Sequence, residues 1–423
     1  MLAELSRRGV PAVLVEGGGR AGQGAAYSTL EPAHLLNVRA EVMSARPDDP
    51  DHFSRFVEAE GGTAKDFAER RMFGRYLKGQ LAEALANGGA SLSDQAVGAR
   101  RTDGGWRVAL GKGGTVDAGA LVLAIGNQPP EPPRAFAGAG PRFVNNPWSE
   151  EARQAQQSAA ASGADVLLLG TGLTMVDSAL SLDAAGHRGA ILAVSRRGLI
   201  PRGHSELPGP PAPVTLDDVP AGNLLAIWRW LRRRSGQVDW RAAVDSLRPH
   251  THALWQGLDG DQQKRFMRHA RPWWDVHRHR IAPQVARTIR EMIADGRLEI
   301  AAGRVRTATG SGEGIEVEIA RRGGKASETR SFGHVFNCTG PLGAIARTRN
   351  PLLRQLLDDG LVQPDPLGIA LDVDKASRVA GAQRLWALGP MAKGKFWEII
   401  AVPDIRVQVA HVASDIVAEL GQR

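Results

Sequence analysis

The same order of structural signals occurs twice along this chain of 423 residues, and the repetition limits the folds that it can adopt. Each half contains an apolar strand, helical residues, a β-rich stretch and a closing apolar strand that runs into a glycine. The closing strands cover 120–125 in the first half and 334–338 in the second. Two such units predict an α/β protein with two Rossmann-like dinucleotide-binding domains, each a three-layer ββα arrangement with a β-meander.

The second copy contains a complete dinucleotide signal. An apolar strand over 165–169 leads into the turn Gly170-Thr171-Gly172, a helix over 173–185 and a second strand over 190–194. Glycines let the backbone approach a pyrophosphate, and the N-terminus of the following helix offers unpaired N–H groups with a partial positive charge. The sequence therefore predicts a nucleotide site formed by Gly170, Gly172, Leu173 and Thr174.

The strand after this helix ends in Ser195-Arg196-Arg197, where an acid would bind a free ribose 2′-hydroxyl. Arginine at this position accommodates a 2′-phosphate instead. We therefore predict that Ser195, Arg196 and Arg197 select NADPH, with NADH as the alternative donor. The competing interpretation is that the two arginines are solvated loop residues.

The first copy begins inside its motif. The strand over 11–16 ends in Glu16, the position from which an acid would hold the adenosine ribose of FAD. Counting back about 20 residues places the matching glycine turn upstream of Met1. We therefore expect an FAD-binding domain that is N-terminally truncated, lacking its first strand and glycine turn. The alternative is that the chain never held a flavin and that Glu16 is a surface residue.

Four further positions are candidates for cofactor contact. Gly126 and Gly340 end the two closing strands, where a small residue lets the chain pass close to a cofactor. Gly389 follows another strand and is suited to the ribityl phosphate. Pro403 opens the last helix, whose N-terminus would stabilise the negative charge of a reduced flavin. The alternative for Pro403 is an ordinary capped C-terminal helix.

The composition changes in the middle of the chain. A proline-rich stretch over 207–213 is followed by a helical segment that holds six of the ten tryptophans. We interpret 205–280 as a helical insertion in an NAD(P)-binding domain over 161–334. The FAD-binding domain is then formed by 1–160 together with 335–423.

The segment over 273–280 contains two histidines in a basic, aromatic setting. On a helix His277 and His279 would point apart, and the sequence nearby shows no third ligand, so no metal site is predicted. The segment is interpreted either as the wall of a substrate or nicotinamide pocket or as a helix-packing surface.

Composition narrows the class of partner. The net charge is +8, but only 8 of the 53 basic residues are lysines and the arginines are spread along the chain, so no nucleic-acid partner is expected. The single cysteine, Cys338, excludes an intramolecular disulfide and dithiol chemistry. With neither a membrane-length apolar run nor a secretory signal, we expect a cytoplasmic protein without a membrane partner. The substrate and the oligomeric state stay open.

These motifs together resemble bacterial FAD/NAD(P)-binding oxidoreductases that are distantly related to class B flavin monooxygenases. The resemblance implies FAD on the outer segments and NAD(P)H on the middle one, and it puts His34, Leu36, Asn37 and Met43 near the flavin. The residues that carry it are 22–28, 34–38, 43–44, 47–48, 73–77, 170–177, 195–198 and 394–406.

The favoured function is that of an FAD- and NAD(P)H-dependent oxidoreductase. Hydride would pass from NADPH to the flavin and then to an acceptor or to oxygen, and the flavin would supply the chemistry, so no catalytic side chain is predicted. Because the dithiol route is excluded, a monooxygenase or a simple reductase remains. The alternative is a non-catalytic nucleotide-binding protein or truncated gene product unable to hold FAD.

Overall fold

The computed structural model describes every residue except Pro208, Glu313, Lys325, Gln422 and Arg423. Pro208 belongs to the predicted proline-rich stretch, so that part of the prediction lies outside the described residues. The chain is a mixed α/β protein, which confirms the predicted class. None of the helices in the described part of the chain combines the length and apolar character needed to cross a bilayer.

A strand is present at each predicted position, with ends that differ from the prediction by one or two residues. In chain order they are β1 (Val13–Val15), β2 (Ala90–Leu92), β3 (Ala96–Thr102), β4 (Gly105–Leu110), β5 (Thr115–Ala118), β6 (Leu121–Leu123), β7 (Phe143–Val144), β8 (Val166–Leu169), β9 (Ile191–Ser195), β10 (Leu298–Ser311), β11 (Gly314–Arg321), β12 (Ser327–Phe332), β13 (His334–Asn337) and β14 (Leu385–Ala387).

The helices include those predicted after the glycine turn and at the C-terminus. In chain order they are α1 (Leu2–Arg7), α2 (Gly24–Tyr27), α3 (His52–Ala59), α4 (Arg70–Ala86), α5 (Glu150–Ser162), α6 (Leu173–Ala184), α7 (Leu224–Arg234), α8 (Trp240–Ser246), α9 (Thr251–Gln256), α10 (Gly260–Arg265), α11 (Arg271–Arg278), α12 (Pro283–Ala294), α13 (Pro351–Asp358) and α14 (Val402–Gly421). A π-helical turn, Phe266–Ala270, joins α10 to α11.

A seven-stranded sheet forms the middle of the molecule, in the order β12-β11-β10-β9-β8-β13-β7. Strands β9, β8, β13 and β7 are parallel, and β10 joins β9 in parallel before bending into an antiparallel meander with β11 and β12. Alternate residues of β8 enter two cores: Val166 and Leu168 pack with α5, α6 and α12, whereas Leu167 and Leu169 pack with the meander. This sheet is therefore covered on both faces.

The outer segments form separate parallel pairs. Strand β1 pairs with β2, and β6 pairs with β14. The other edge of β14 is used by the chain over 377–379, because Val379 N–H donates to the Leu385 carbonyl at 2.9 Å and Ala387 N–H to the Ser377 carbonyl at 3.0 Å. Among the described residues, one edge of β1 and one edge of β6 thus lack a strand partner.

Burial separates the outer strands from the central ones. All residues of β8 and β13 are buried, as strands inside a sheet covered on both faces should be. In β1, by contrast, Val13 is 46% exposed and the other two residues are only half-buried. We call this incompletely covered region between β1 and β6 the open edge.

Residues 205–280 are mainly helical, as predicted, and lie in the chain between β9 and α12. Their apolar residues form one core that includes Trp255, Phe266, Trp274 and, from the C-terminal segment, Trp397. The rings of Trp255 and Trp397 stack with centroids 5.0 Å apart. The insertion therefore packs on the residues that lead into α14.

Candidate functional site

The two glycines in the turn after β8 have different surroundings: the first is packed against the chain, and the second has free space in front of it. Gly170 has φ +102°, and a Cβ atom there would lie 2.4 Å from the carbonyl oxygen of Cys338, so only glycine fits beside the end of β13. Gly172 is the N-cap of α6, and a Cβ there would meet nothing within 4 Å. The first glycine thus packs the turn, and the second leaves the space in front of it free for a ligand.

The N-terminus of α6 is suited to an anion. Leu173 and Thr174 begin this twelve-residue helix, no side chain caps it, and its first turn contains no acidic residue. The first N–H groups of a helix have no partner within the helix and carry a partial positive charge. A pyrophosphate at this position would satisfy them.

The remaining predicted nucleotide residues meet at the same edge of the sheet. Strands β9, β8 and β13 are parallel neighbours, so Ser195, Gly170 and Gly340 all follow carboxyl ends of strands. The hydroxyls of Ser195 and Thr171 are 2.8 Å apart and join the two strand ends. Within the described residues neither Arg196 nor Arg197 has an ion-pair partner, and Arg196 is exposed.

In the outer segment, Glu16 organises its own loop. Its carboxylate accepts N–H hydrogen bonds from Gly18 at 2.9 Å and from Arg20 at 3.0 Å. Gly126 and Gly389 follow the parallel neighbours β6 and β14, have φ of +71° and +58°, and lie at one sheet edge. The structure thus brings Gly126 and Gly389 together.

The residues that the resemblance puts near the flavin have different surroundings. His34 is buried, and its Nε2 lies 2.9 Å from the Asp177 carbonyl oxygen and 3.0 Å from the Ser181 hydroxyl, both on α6. The Asn37 carbonyl accepts from His204 Nε2 at 2.8 Å. Leu36 and Met43 are buried in one core. His34 therefore contacts the helix of the central unit, and Leu36 and Met43 pack together.

A cavity of about 290 Å³ lies where the helical insertion meets the C-terminal segment. We call it the charged cavity, because five of its residues are acidic or carry a guanidinium. Pro403, predicted from the sequence as a flavin contact, is in its wall. Its lining residues are Val42, Arg248, Pro249, Thr251, His252, Arg278, Glu398, Pro403, Asp404 and Arg406.

Glu398 is the most constrained residue of this cavity. It is 7% exposed and has φ +75°, a conformation that costs a non-glycine residue about 1 kcal/mol or more. Its carboxylate accepts from Trp274 Nε1 at 2.8 Å and lies 3.3 Å from His279 Nε2. Burial alone would raise the pKa of Glu398, but the charge and hydrogen bond of His279 outweigh it and lower the pKa to about 2.

The partner histidine shifts in the matching direction. Burial lowers the pKa of His279, and the carboxylate of Glu398 raises it by more, so the pKa of His279 lies above its ordinary value. Sequence reasoning missed Glu398, although a lone acid in the apolar run 397–402 was a usable signal, because an acid seldom occupies a buried run without a partner.

Asp275, His279 and Glu398 have ligand atoms within 4.8 Å of one another, a spacing that a metal ion could use. The positive charges of Arg271, 3.2 Å from Asp275, and Arg278, 3.7 Å from Glu398, already compensate the two carboxylates. We therefore assign the group as an ion-pair network. His277 lies apart from it, with Nδ1 hydrogen-bonded to its own helix, as the predicted divergence of the two histidines requires.

Cys338 contributes no thiol chemistry to the nucleotide edge. It is 3% exposed, and burial raises the pKa of its thiol to about 12. A thiol with so high a pKa holds its proton at neutral pH, whereas the thiolate is the reactive form. The structure thus agrees with the absence of a thiol route.

Comparison with known proteins supports a flavin-dependent class. Residues 1–128 match the family model described as FAD-NAD(P)-binding. Ornithine hydroxylase PvdA from Pseudomonas aeruginosa is 13% identical over 99% of this chain and 96% of its own, with a TM-score of 0.68. L-lysine 6-monooxygenase from Pseudomonas syringae is 16% identical over 97% of this chain and 99% of its own, with a TM-score of 0.66. A search of curated protein sequences found no match.

A third solved structure is the FAD-bound cadaverine monooxygenase DfoA from Erwinia amylovora. It is 14% identical, covers 100% of this chain and 92% of its own, and has a TM-score of 0.62. At these identities the likeness shows a shared fold. The family model confirms the predicted FAD/NAD(P)-binding class.

Proposed function

We propose that this chain, which has the fold of flavin-dependent monooxygenases, is an NADPH-dependent flavin oxidoreductase that passes electrons to an acceptor or to oxygen. The observation that carries the proposal is the edge formed by Gly170, Gly172 and Arg196. There an open helix N-terminus and two arginines without ion-pair partners among the described residues follow the carboxyl ends of the neighbouring strands β8 and β9. This combination suits a pyrophosphate and a 2′-phosphate.

The residues of the central unit fit NADPH. The N–H groups at the start of α6 would bind the pyrophosphate, with Gly172 leaving room for its approach. Arg196 and Arg197 would contact the 2′-phosphate. Ser195, tied to Thr171 by their hydroxyls, would hold this strand end in place. The bounds of 161–334 for this unit stay a prediction, and the central sheet itself also includes β7 and all of β13.

The fit to FAD is partial. The N-terminus of α14, at Pro403, would face the pyrimidine end, and Gly126 leaves open backbone at the end of β6. The described residues show no glycine turn before β1 that would hold the flavin pyrophosphate. FAD, when bound, would accept hydride from NADPH and reduce the second substrate.

We infer that a further parallel strand belongs in the open edge. In the central sheet β8 lies between β9 and β13, and the outer segments repeat the flanking strands as β1 and β6 with no strand between them. Val13, on β1, has an exposed apolar side chain. An added strand with its glycine turn would complete the FAD domain formed by 1–160 and 335–423, as the resemblance implies.

The test compares two proteins: this 423-residue chain, and the same chain extended upstream by a strand and a glycine turn. Both are mixed with FAD and desalted, and the visible absorbance of bound flavin is recorded. We expect the extended protein to retain stoichiometric FAD and to be reduced by NADPH. If neither protein retains FAD while both bind NADPH, the oxidoreductase proposal is wrong.

The open edge also favours a second candidate, a nucleotide-binding protein without turnover. That function needs only the central unit, where β8 and β13 are fully buried and the glycine turn is complete. Stoichiometric NADPH binding without oxidation of NADPH, even in the flavin-retaining extended protein, would support it. Sustained NADPH oxidation would exclude it.

Cofactor choice gives a further prediction. Replacing Arg196 and Arg197 together by alanine should weaken NADPH binding by at least tenfold and leave NADH binding nearly unchanged. The reason is that the charge-assisted contacts to the 2′-phosphate, which the variant loses, form only with NADPH. Titration of protein fluorescence with each nucleotide measures both affinities. Arg290→Ala, at an exposed position of α12, is the control. An equal loss for NADPH and NADH would contradict the assignment of the 2′-phosphate.

A further inference from the structure

The charges that line the charged cavity do not balance. Three guanidinium groups, from Arg248, Arg278 and Arg406, face two carboxylates, from Glu398 and Asp404. The lining also contains the imidazole of His252. Its pKa is below the ordinary value, mainly because the ring is buried, so His252 adds no positive charge at neutral pH. One positive charge is therefore left without a compensating acid in the lining.

The pairing shows which groups are left over. Arg248 lies 3.7 Å from Asp404, and Glu398 is bound by His279 and by the indole of Trp274. Arg278 is also 3.7 Å from Glu398, so it shares that carboxylate with His279. Arg278 therefore has only a shared acid, and Arg406 is the guanidinium of the lining that no carboxylate compensates among the described residues.

Arg278 is the strongest evidence for a ligand. It is 7% exposed, its Nε is fully buried without a hydrogen-bond acceptor, and its contact with Glu398 spans 3.7 Å, beyond hydrogen-bond length. Leaving a buried charged donor unpaired costs more than leaving a neutral one, so such groups normally have a partner. The cavity is the space from which a partner can come.

Arg406 extends the cationic surface from the other side. It is on the first turns of α14, and its Nη1 donates to the Ser44 carbonyl at 3.1 Å, which fixes the side chain. Within the part of the chain that is described, no carboxylate oxygen lies within 4.0 Å of it. The α14 N-terminus, which adds a partial positive charge, points to the same cavity through Pro403.

We propose that the charged cavity binds a single carboxylate of the substrate, with Arg278 and Arg406 as the contacting groups. The planar guanidinium fork matches a carboxylate, and a surplus of one positive charge matches one anionic group. Glu398 and Asp404 would repel a doubly charged phosphate. A diamine without an anionic group would leave Arg278 unpaired, so this cavity disfavours it.

The inference deepens the proposed function, because it names the charge class of the substrate. It rests on that function only in calling the bound molecule a substrate. The test therefore uses direct binding, which requires neither flavin nor turnover.

The probes are four compounds: glutarate, δ-aminovalerate, cadaverine and inorganic phosphate. The first three share a five-carbon chain and differ in the number of carboxylates. The indole of Trp274 donates to Glu398 at the cavity and serves as the reporter in the full chain labelled with ¹⁵N-tryptophan. We expect its signal, assigned with Trp274→Phe, to shift with glutarate and δ-aminovalerate and to stay in place with cadaverine.

Arg278→Met should weaken glutarate binding at least tenfold, whereas Arg229→Met, at an exposed position of α7 in the same insertion, should leave it unchanged. If Arg278→Met does not fold, Arg406→Met takes its place with the same expectation. The proposal would be overturned if cadaverine bound as tightly as glutarate, or if phosphate bound more tightly than glutarate. It would also be overturned if the folded variant bound glutarate with unchanged affinity. Displacement of glutarate by FAD would also overturn it, because the surplus charge would then belong to the flavin.

Discussion

Replacing Gly170 by alanine is expected to lower the free energy of unfolding by about 3 kcal/mol and to abolish NADPH binding. A Cβ atom at this position would lie 2.4 Å from the carbonyl oxygen of Cys338, and the φ of +102° is strained for alanine. To relieve this steric clash, the turn must move away from the end of β13. That movement displaces the N-terminus of α6, to which the pyrophosphate is expected to bind.

Gly172→Ala is the matched control in the same turn. A Cβ there meets no atom within 4 Å and φ is −88°, so the free energy of unfolding should change by less than about 0.5 kcal/mol. NADPH binding should still weaken at least tenfold, because the added methyl occupies the approach to the pyrophosphate. Urea unfolding and fluorescence titration separate the two effects. Equal loss of stability in both variants would show that the turn is misassigned.

Glu398→Gln should also destabilise the protein by about 3 kcal/mol, since removing one member of a buried ion pair leaves the other without compensation. The variant keeps the side-chain shape and an oxygen for the Trp274 indole but loses the charge that holds His279. Asp117→Asn removes a carboxylate from the exposed pair with Arg107 and should have no measurable effect. A loss for Glu398→Gln no greater than that for Asp117→Asn would contradict the buried pair.

The pH dependence of stability should carry the signature of the same pair. Glu398 has a pKa lowered from 4.5 to about 2, so its contribution is present above pH 4.5 and is lost as the pH falls towards 2. His279 has a pKa raised above 6.5, so its contribution is complete below pH 6.5 and is lost as the pH rises through that higher pKa. The difference between wild type and Glu398→Gln should therefore be largest between about pH 4.5 and 6.5 in urea unfolding. A difference that is constant with pH would exclude this linkage.

The central unit was predictable because its signals are local. Strand β8 is an unbroken apolar run, and the glycines after β8 and β13 and the arginines after β9 are close in sequence to the strands that position them. Two Rossmann-like domains, the first without its opening strand and glycine turn, remain a prediction, and in the outer segments β1 and β6 lack a shared neighbour among the described residues. Periodicity identifies each strand but cannot show which strand is beside it.

The charged cavity was not predictable in the same way. Arg278 and Arg406 are separated by more than a hundred residues, and their proximity depends on how the tryptophan-rich insertion packs on the C-terminal segment. The sequence identified the segment over 273–280 as a pocket wall or a packing surface, and Arg278 lines the cavity while Trp274 packs in the core beside it. Helical spacing alone could not tell which residue faces which side.

The open edge has a consequence for the behaviour of the protein in solution. Strands with unpaired N–H and C=O groups and exposed apolar side chains are templates for pairing with other chains. The parallel alignment of β1 with β2 and of β6 with β14 leaves two such edges close to a partly exposed Val13. Occupation of the open edge by a strand that carries the flavin turn would therefore protect the protein from aggregation, and colloidal stability would be linked to cofactor loading.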